Sequence, residues 1–134
     1  MPETSFEKCP LRRALAALES RTPELIERFH EHLEIRASGL KTRLYGADDE
    51  RLRGILLNVI VLVAETHEEP DEVSETVRRL GERHRGLGLS LEHFKEFGEA
   101  LREAIATVLG EEWTPQANWL WRRAFRRVAL QMVL

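Results

Sequence analysis

VRRLGERHRGLGLSLEHFKEFGEAL, residues Val77–Leu101, is the stretch from which the fold can be read. Val77, Leu80, His84 and Leu87 recur at helical spacing, so they share one face of a helix. His84 therefore stands on an apolar stripe that carries no carboxylate. Gly86 and Gly88 follow, with the backbone freedom needed to stop a helix just past the imidazole. Ser90 then reads as the cap of a new helix. His93 takes the third position, where a capping box prefers Glu or Gln. One helix ends on a histidine, the chain turns sharply, and the next helix starts beside it.

Outward from this pair, nearly every long segment keeps the helical period, and hairpin turn dipeptides are absent. A first helix is expected from Leu11 to about Arg21, with Leu11, Leu15 and Leu18 inward. Thr22-Pro23-Glu24 signals the start of a second: a cap, a proline at the first helical position and an acid. Leu25, Ile26, Phe29 and Leu33 face its core. Ser38-Gly39 breaks it, and a short helical turn and a corner reach to Tyr45. Asp48 or Asp49 caps a helix that is apolar around most of its girth, from Leu52 to Val63, and so belongs in the middle of the domain. Pro70-Asp71 opens the helix that bears His84. The helix from Ser90 buries Phe94, Phe97, Leu101 and Ile105, and Thr114-Pro115 opens the last, with Ala124, Phe125, Val128 and Met132 inward. The expectation is all-α, about seven helices and no sheet.

At 134 residues, with 43% hydrophobic and 32% charged residues, the chain is long enough for one domain burying about 70% of its unfolded surface. Residues 1–134 are read as that domain, with 1–10 as a loosely ordered N-terminal segment. A net charge of −3 gives no general basis for binding nucleic acid or an acidic membrane. No apolar run approaches the ~20 residues of a membrane span, and no signal peptide is visible at the N-terminus. The single cysteine, Cys9, suits a reducing cytoplasm, which is the expected location. His67 lies among glutamates and His32 on a polar side, so both are expected in solvent, and no set of zinc ligands converges.

Leu80-Gly81-Glu82-Arg83-His84, then Glu92-His93-Phe94, Gly98 and Leu101, resembles the globin family, specifically its single-domain bacterial and flavohemoglobin-like branch. A second match is Leu109-Gly110 and Trp113-Thr114-Pro115, followed by Trp121, Ala124 and Phe125. The resemblance runs over residues 12 to 133. It implies a globin fold, a three-over-three helical sandwich enclosing a heme pocket, with heme b (iron protoporphyrin IX) as cofactor and His84 as the proximal iron ligand. In that role a neutral imidazole offers one ring nitrogen to iron while the other donates to a carbonyl about one turn earlier, Leu80 or Gly81 here.

The same resemblance assigns the pocket. Phe29, His30, Ile55, Val59, Leu80, Leu87, Phe94, Phe97, Leu101 and Phe125 would line it, and Arg83 would pair with a propionate. Phe29-His30 stands where the branch has Phe-Tyr, so His30 is a candidate donor to the gas ligand. Arg51 is the other distal candidate, although a one-residue shift puts Leu52 there. The aromatic that wedges the heme falls on Leu44 or Tyr45. Phe94 replaces the branch's proximal tyrosine, and the chain reaches Leu134 ahead of the accompanying glutamate.

The function implied is reversible binding of oxygen or another diatomic gas, for oxygen binding, transport or sensing, by a ligand-binding protein rather than an enzyme. No Gly-rich dinucleotide fingerprint occurs, so nitric oxide dioxygenation would need a separate reductase. A heme-free signalling module of globin shape is the alternative from another class. Arg122, Arg123, Arg126 and Arg127 read as a solvated face paired to acids, and no nucleic acid or membrane partner is expected. Trp113, Trp119 and Trp121 read as packing or interface residues, compatible with a monomer or a homodimer.

Overall fold

The computed structural model describes residues 9–40, 49–84 and 89–133. Among the described residues there is no strand. The helices are α1 (Pro10–Leu18), α2 (Thr22–Arg36), α3 (Asp49–Glu68), α4 (Pro70–His84), α5 (Leu91–Leu109) and α6 (Pro115–Val133), with a 3-10 turn over Gly110–Glu112 between the last two. Six α-helices are thus seen among the described residues, against an expectation of about seven in the whole chain. The helical turn read between Ser38 and Tyr45, and the Gly86–Gly88 turn, fall largely or wholly outside the described residues.

The helix boundaries follow local chemistry. Ser90 caps α5 as expected: its Oγ accepts from the His93 backbone N–H at 3.4 Å, and His93 Nδ1 accepts from the Ser90 N–H at 3.0 Å. The imidazole nitrogen thus does the work of a capping-box carboxylate. At α6, Thr114 Oγ1 accepts from the Ala117 N–H at 3.1 Å. Thr22 behaves differently. It is already helical and buried, and its hydroxyl makes no cap; Arg21 precedes the helix and sends its guanidinium to the Val108 carbonyl at 2.9 Å. The first helix also stops earlier than its period suggests, at Leu18, where the Arg21 N–H turns back to the Leu18 carbonyl.

α3 runs through the middle, touching α1, α2, α4 and α6, while α2 packs on α5 and α4 lies along α6. Leu52, Leu56, Ile60 and Val63 are buried along one side of α3, and meet Leu101 and Ile105 of α5 and Trp121 of α6 in one core. Ile55, Val59 and Leu62 on its other side are only partly covered. That second apolar side faces a cavity. No helix among the described residues is long and apolar enough to cross a membrane.

Candidate functional site

α4 carries two stripes a residue apart, and they do different work. Val73, Val77 and Gly81 are buried, and Val77 packs with Val128 and Met132 of α6. Thr76, Leu80 and His84 follow at the same spacing and line the cavity. The single stripe read through Val77, Leu80 and His84 is therefore two: the valine is a seam with α6, and the leucine and histidine are a wall. Leu87 lies outside the described residues.

The cavity holds ≈ 440 Å³, within the range of small-molecule and cofactor sites. α3 contributes Ile55, Val59 and Leu62; α5 contributes Phe94 and Phe97; α6 contributes Phe125, Val128 and Met132. The wall is mostly hydrocarbon, with Asn58, Glu65, Thr76, His84 and His93 as its polar side chains. His84 stands at the end of α4 with its ring 6.2 Å from Phe94 at 61°, an edge contact.

His84 Nδ1 lies 2.6 Å from the Leu80 carbonyl oxygen. A carbonyl only accepts, so the proton of the neutral ring sits on Nδ1 and the lone pair on Nε2. The helix geometry produces this bond, since Leu80 is one turn back. An apolar cavity lined by an imidazole whose second nitrogen is a lone-pair donor fits an iron porphyrin: flat hydrocarbon against hydrocarbon, with one axial nitrogen.

The other expected site residues are distributed as follows. Ile55, Val59, Leu80, Phe94, Phe97 and Phe125 are on the cavity wall. Phe29 and Leu101 are fully buried one layer behind it, and the Phe29 ring meets Phe97 edge-on at 5.2 Å. His30 is half-buried beside Phe29, with ring centroids 6.3 Å apart, and is not among the lining residues. Arg51 and Arg83 are exposed, and Leu52 is in the core. Leu44 and Tyr45 lie outside the described residues. Leu62, Val128 and Met132, which join the wall, had been read only as core positions; Thr76 and His93 are further lining residues. The i, i+4, i+8 step back from His84 through Leu80 points to Thr76.

Two surface expectations differ in outcome. His32 is held by Glu103, with Nδ1 to carboxylate oxygen at 3.0 Å, instead of facing open solvent. Arg122 and Arg127 do pair with acids, Glu99 at 3.4 Å and Asp71 at 3.7 Å. Trp113 and Trp121 are buried, whereas Trp119 is 57% exposed with Arg123 over its ring at 5.2 Å. Among the described residues no group of three or more His, Cys, Asp or Glu side chains could hold a metal ion.

Known proteins agree with this architecture. The chain is 30% identical over 77 residues to the flavohemoprotein of Bacillus subtilis (strain 168), a match covering 58% of this chain and 19% of that protein. It thus spans about a fifth of that relative's length. A solved structure of an engineered carbene transferase from Rhodothermus marinus, made from a protein assigned as a nitric oxide dioxygenase, superposes with a TM-score of 0.69 at 21% identity, covering 96% of this chain and 89% of that one. The globin family model matches residues 47–132, which include the central helix, the helix ending at His84 and most of the last helix. The chain belongs to the globin family.

Proposed function

We propose that residues 1–134 form a single globin domain that binds heme b and reversibly takes up oxygen or another diatomic gas. One observation carries the reading: the Leu80 carbonyl fixes Nδ1–H of His84, leaving Nε2 as lone-pair donor on an apolar cavity of ≈ 440 Å³. Heme, when bound, would supply an iron atom able to take both an imidazole nitrogen and a diatomic gas. His84 would hold the group, and Leu80 would fix the orientation and basicity of its ring. Ile55, Val59, Phe94, Phe97 and Phe125 would cover the macrocycle and keep water from it. The reading assigns no ligand contact to His30 or Arg51.

Hemin titration of the purified chain is the test. A Soret band that saturates at one equivalent and is lost or displaced in His84→Ala is expected; a chain that stays colourless with excess hemin overturns the proposal. The likeness to a flavohemoprotein and to a nitric oxide dioxygenase fold supports an enzymatic version, in which a separate reductase supplies electrons and nitric oxide is consumed. Nitric oxide consumption that depends on added reductase and reductant is its measurement. Colourless material that remains folded favours the heme-free signalling module.

A further inference from the structure

We propose that Gly81 is a positioning residue, which sets how far His84 reaches into the cavity by letting the end of α4 rest on the backbone of α6. The proposal builds on the heme-binding reading.

The seam between α4 and α6 tapers along the chain. Its α4 side runs Val73, Val77, Gly81, so side-chain bulk falls to nothing at the end where His84 stands. A Cβ at Gly81 would lie 2.6 Å from the carbonyl oxygen of Met132, 2.9 Å from its Cα and 3.1 Å from its carbonyl carbon. All three are backbone atoms of a helix that is itself packed on α3, α4 and α5, so none can rotate away. The glycine is not there for its torsion angle: it is helical, and the positive-φ glycines among the described residues are Gly39 and Gly110. It is there because α4 comes too close to α6 for any side chain.

The close approach fixes the neighbouring stripe. Leu80, the acceptor for Nδ1, is the adjacent residue, and His84 is three residues on. The turn that holds the imidazole is thus seated on α6, which also supplies Phe125, Val128 and Met132 to the cavity lining. A methyl group at 81 must lift that turn by several tenths of an ångström or more. Metal–ligand bonds keep to within about 0.2 Å of their usual lengths, so a lift of this size would strain the bond that His84 would make to iron.

The experiment compares Gly81→Ala with Val77→Ala in the hemin-loaded chain. Val77 is on the same seam and fully buried, so both variants loosen the α4–α6 contact, but only the first displaces the turn of His84. The iron–histidine stretching band of the ferrous, gas-free protein should shift in Gly81→Ala and hold in Val77→Ala. Hemin loss to an acceptor apoprotein should be about ten- to a hundredfold faster in the former. An unshifted band in Gly81→Ala, or an equal shift in Val77→Ala, overturns the proposal. In hemin-free chains, the NOE between the His84 and Phe94 rings reads the same displacement: weakening in Gly81→Ala supports it and no change overturns it. A wild-type chain that takes no hemin refutes the heme reading, while the NOE still decides the role of Gly81. Should Gly81→Ala fold poorly, Gly54→Ala provides a stabilised background, since a Cβ at that exposed helical site meets nothing within 4 Å.

Discussion

Gly98→Ala is a demanding test of how α5 and α6 shape the cavity. A Cβ at Gly98 would fall 2.3 Å, 2.5 Å and 2.7 Å from three atoms of the Phe125 ring. Aliphatic–aromatic contact is comfortable near 3.5 Å or beyond, so the ring must retreat by about 1 Å. Its freedom to do so is small. Trp121 stacks on it at 5.8 Å and 16°, and that indole is tethered by its Nε1–H to the Gly98 carbonyl at 3.2 Å. Overpacking of this kind costs about 1–3 kcal/mol. Alanine in place of glycine inside a helix returns about 0.5–1 kcal/mol. With the ring pinned, the upper part of the overpacking range applies, about 2–3 kcal/mol, so the net expectation is a loss of about 1–2.5 kcal/mol, measured as a lower urea midpoint at unchanged m-value. Near-ultraviolet circular dichroism should change with it, because Trp121 loses its stacked partner. A variant as stable as wild type, or more stable, would show that the ring is not pinned and that the α5–α6 contact does not define this wall.

Gly54→Ala, by contrast, places a methyl group in open space on an exposed helical position and should gain about 0.5–1 kcal/mol in the same urea experiment; a loss would mean that α3 is not helical there. His93→Ala removes the acceptor of the Ser90 N–H and should cost about 1 kcal/mol, whereas His93→Glu, which restores a carboxylate at that position, should cost less; equal losses would put the role of His93 outside the capping box. Saturating hemin at about 100 times its dissociation constant should add about 2.7 kcal/mol and raise the melting temperature by about 10 °C; an unchanged melt would exclude binding to the native state.

The sequence foretold the pieces whose signals are local. The capping box at Ser90 and the start of α6 after Thr114 each depend on a few consecutive residues, and each appears where those residues placed it. The central helix was legible for the same reason: an apolar girth has no alternative but burial. Long-range choices were not. Periodicity could not divide Val77 from Leu80 and His84, because a seam and a cavity wall look alike when only hydrophobicity is counted. Phe29 and Leu101 share the apolar stripes of the lining residues but are not among them; the Phe97 ring, which does line the cavity, packs edge-on against Phe29, and ring reach is a tertiary quantity. The closure of α4 on α6 at Gly81 depends on the path of Met132, 51 residues away in the chain, and a lone glycine in a helix announces only that something is near.

The walls of the cavity are set by how closely the helices around it approach one another. Solvent-exposed Asn58 and Thr76 line the same cavity as Phe94, Phe97, Phe125 and Val128, so polar groups that water reaches stand beside hydrocarbon. At Gly81 and Gly98 the neighbouring helices approach α6 so closely that a Cβ would fall 2.6 Å from the Met132 carbonyl oxygen and 2.3 Å from the Phe125 ring. Helices drawn so tightly together hold the walls of the cavity at a fixed separation. A flat, rigid ligand gains most from walls held this way, because almost none of its contact is lost to reorganising the protein.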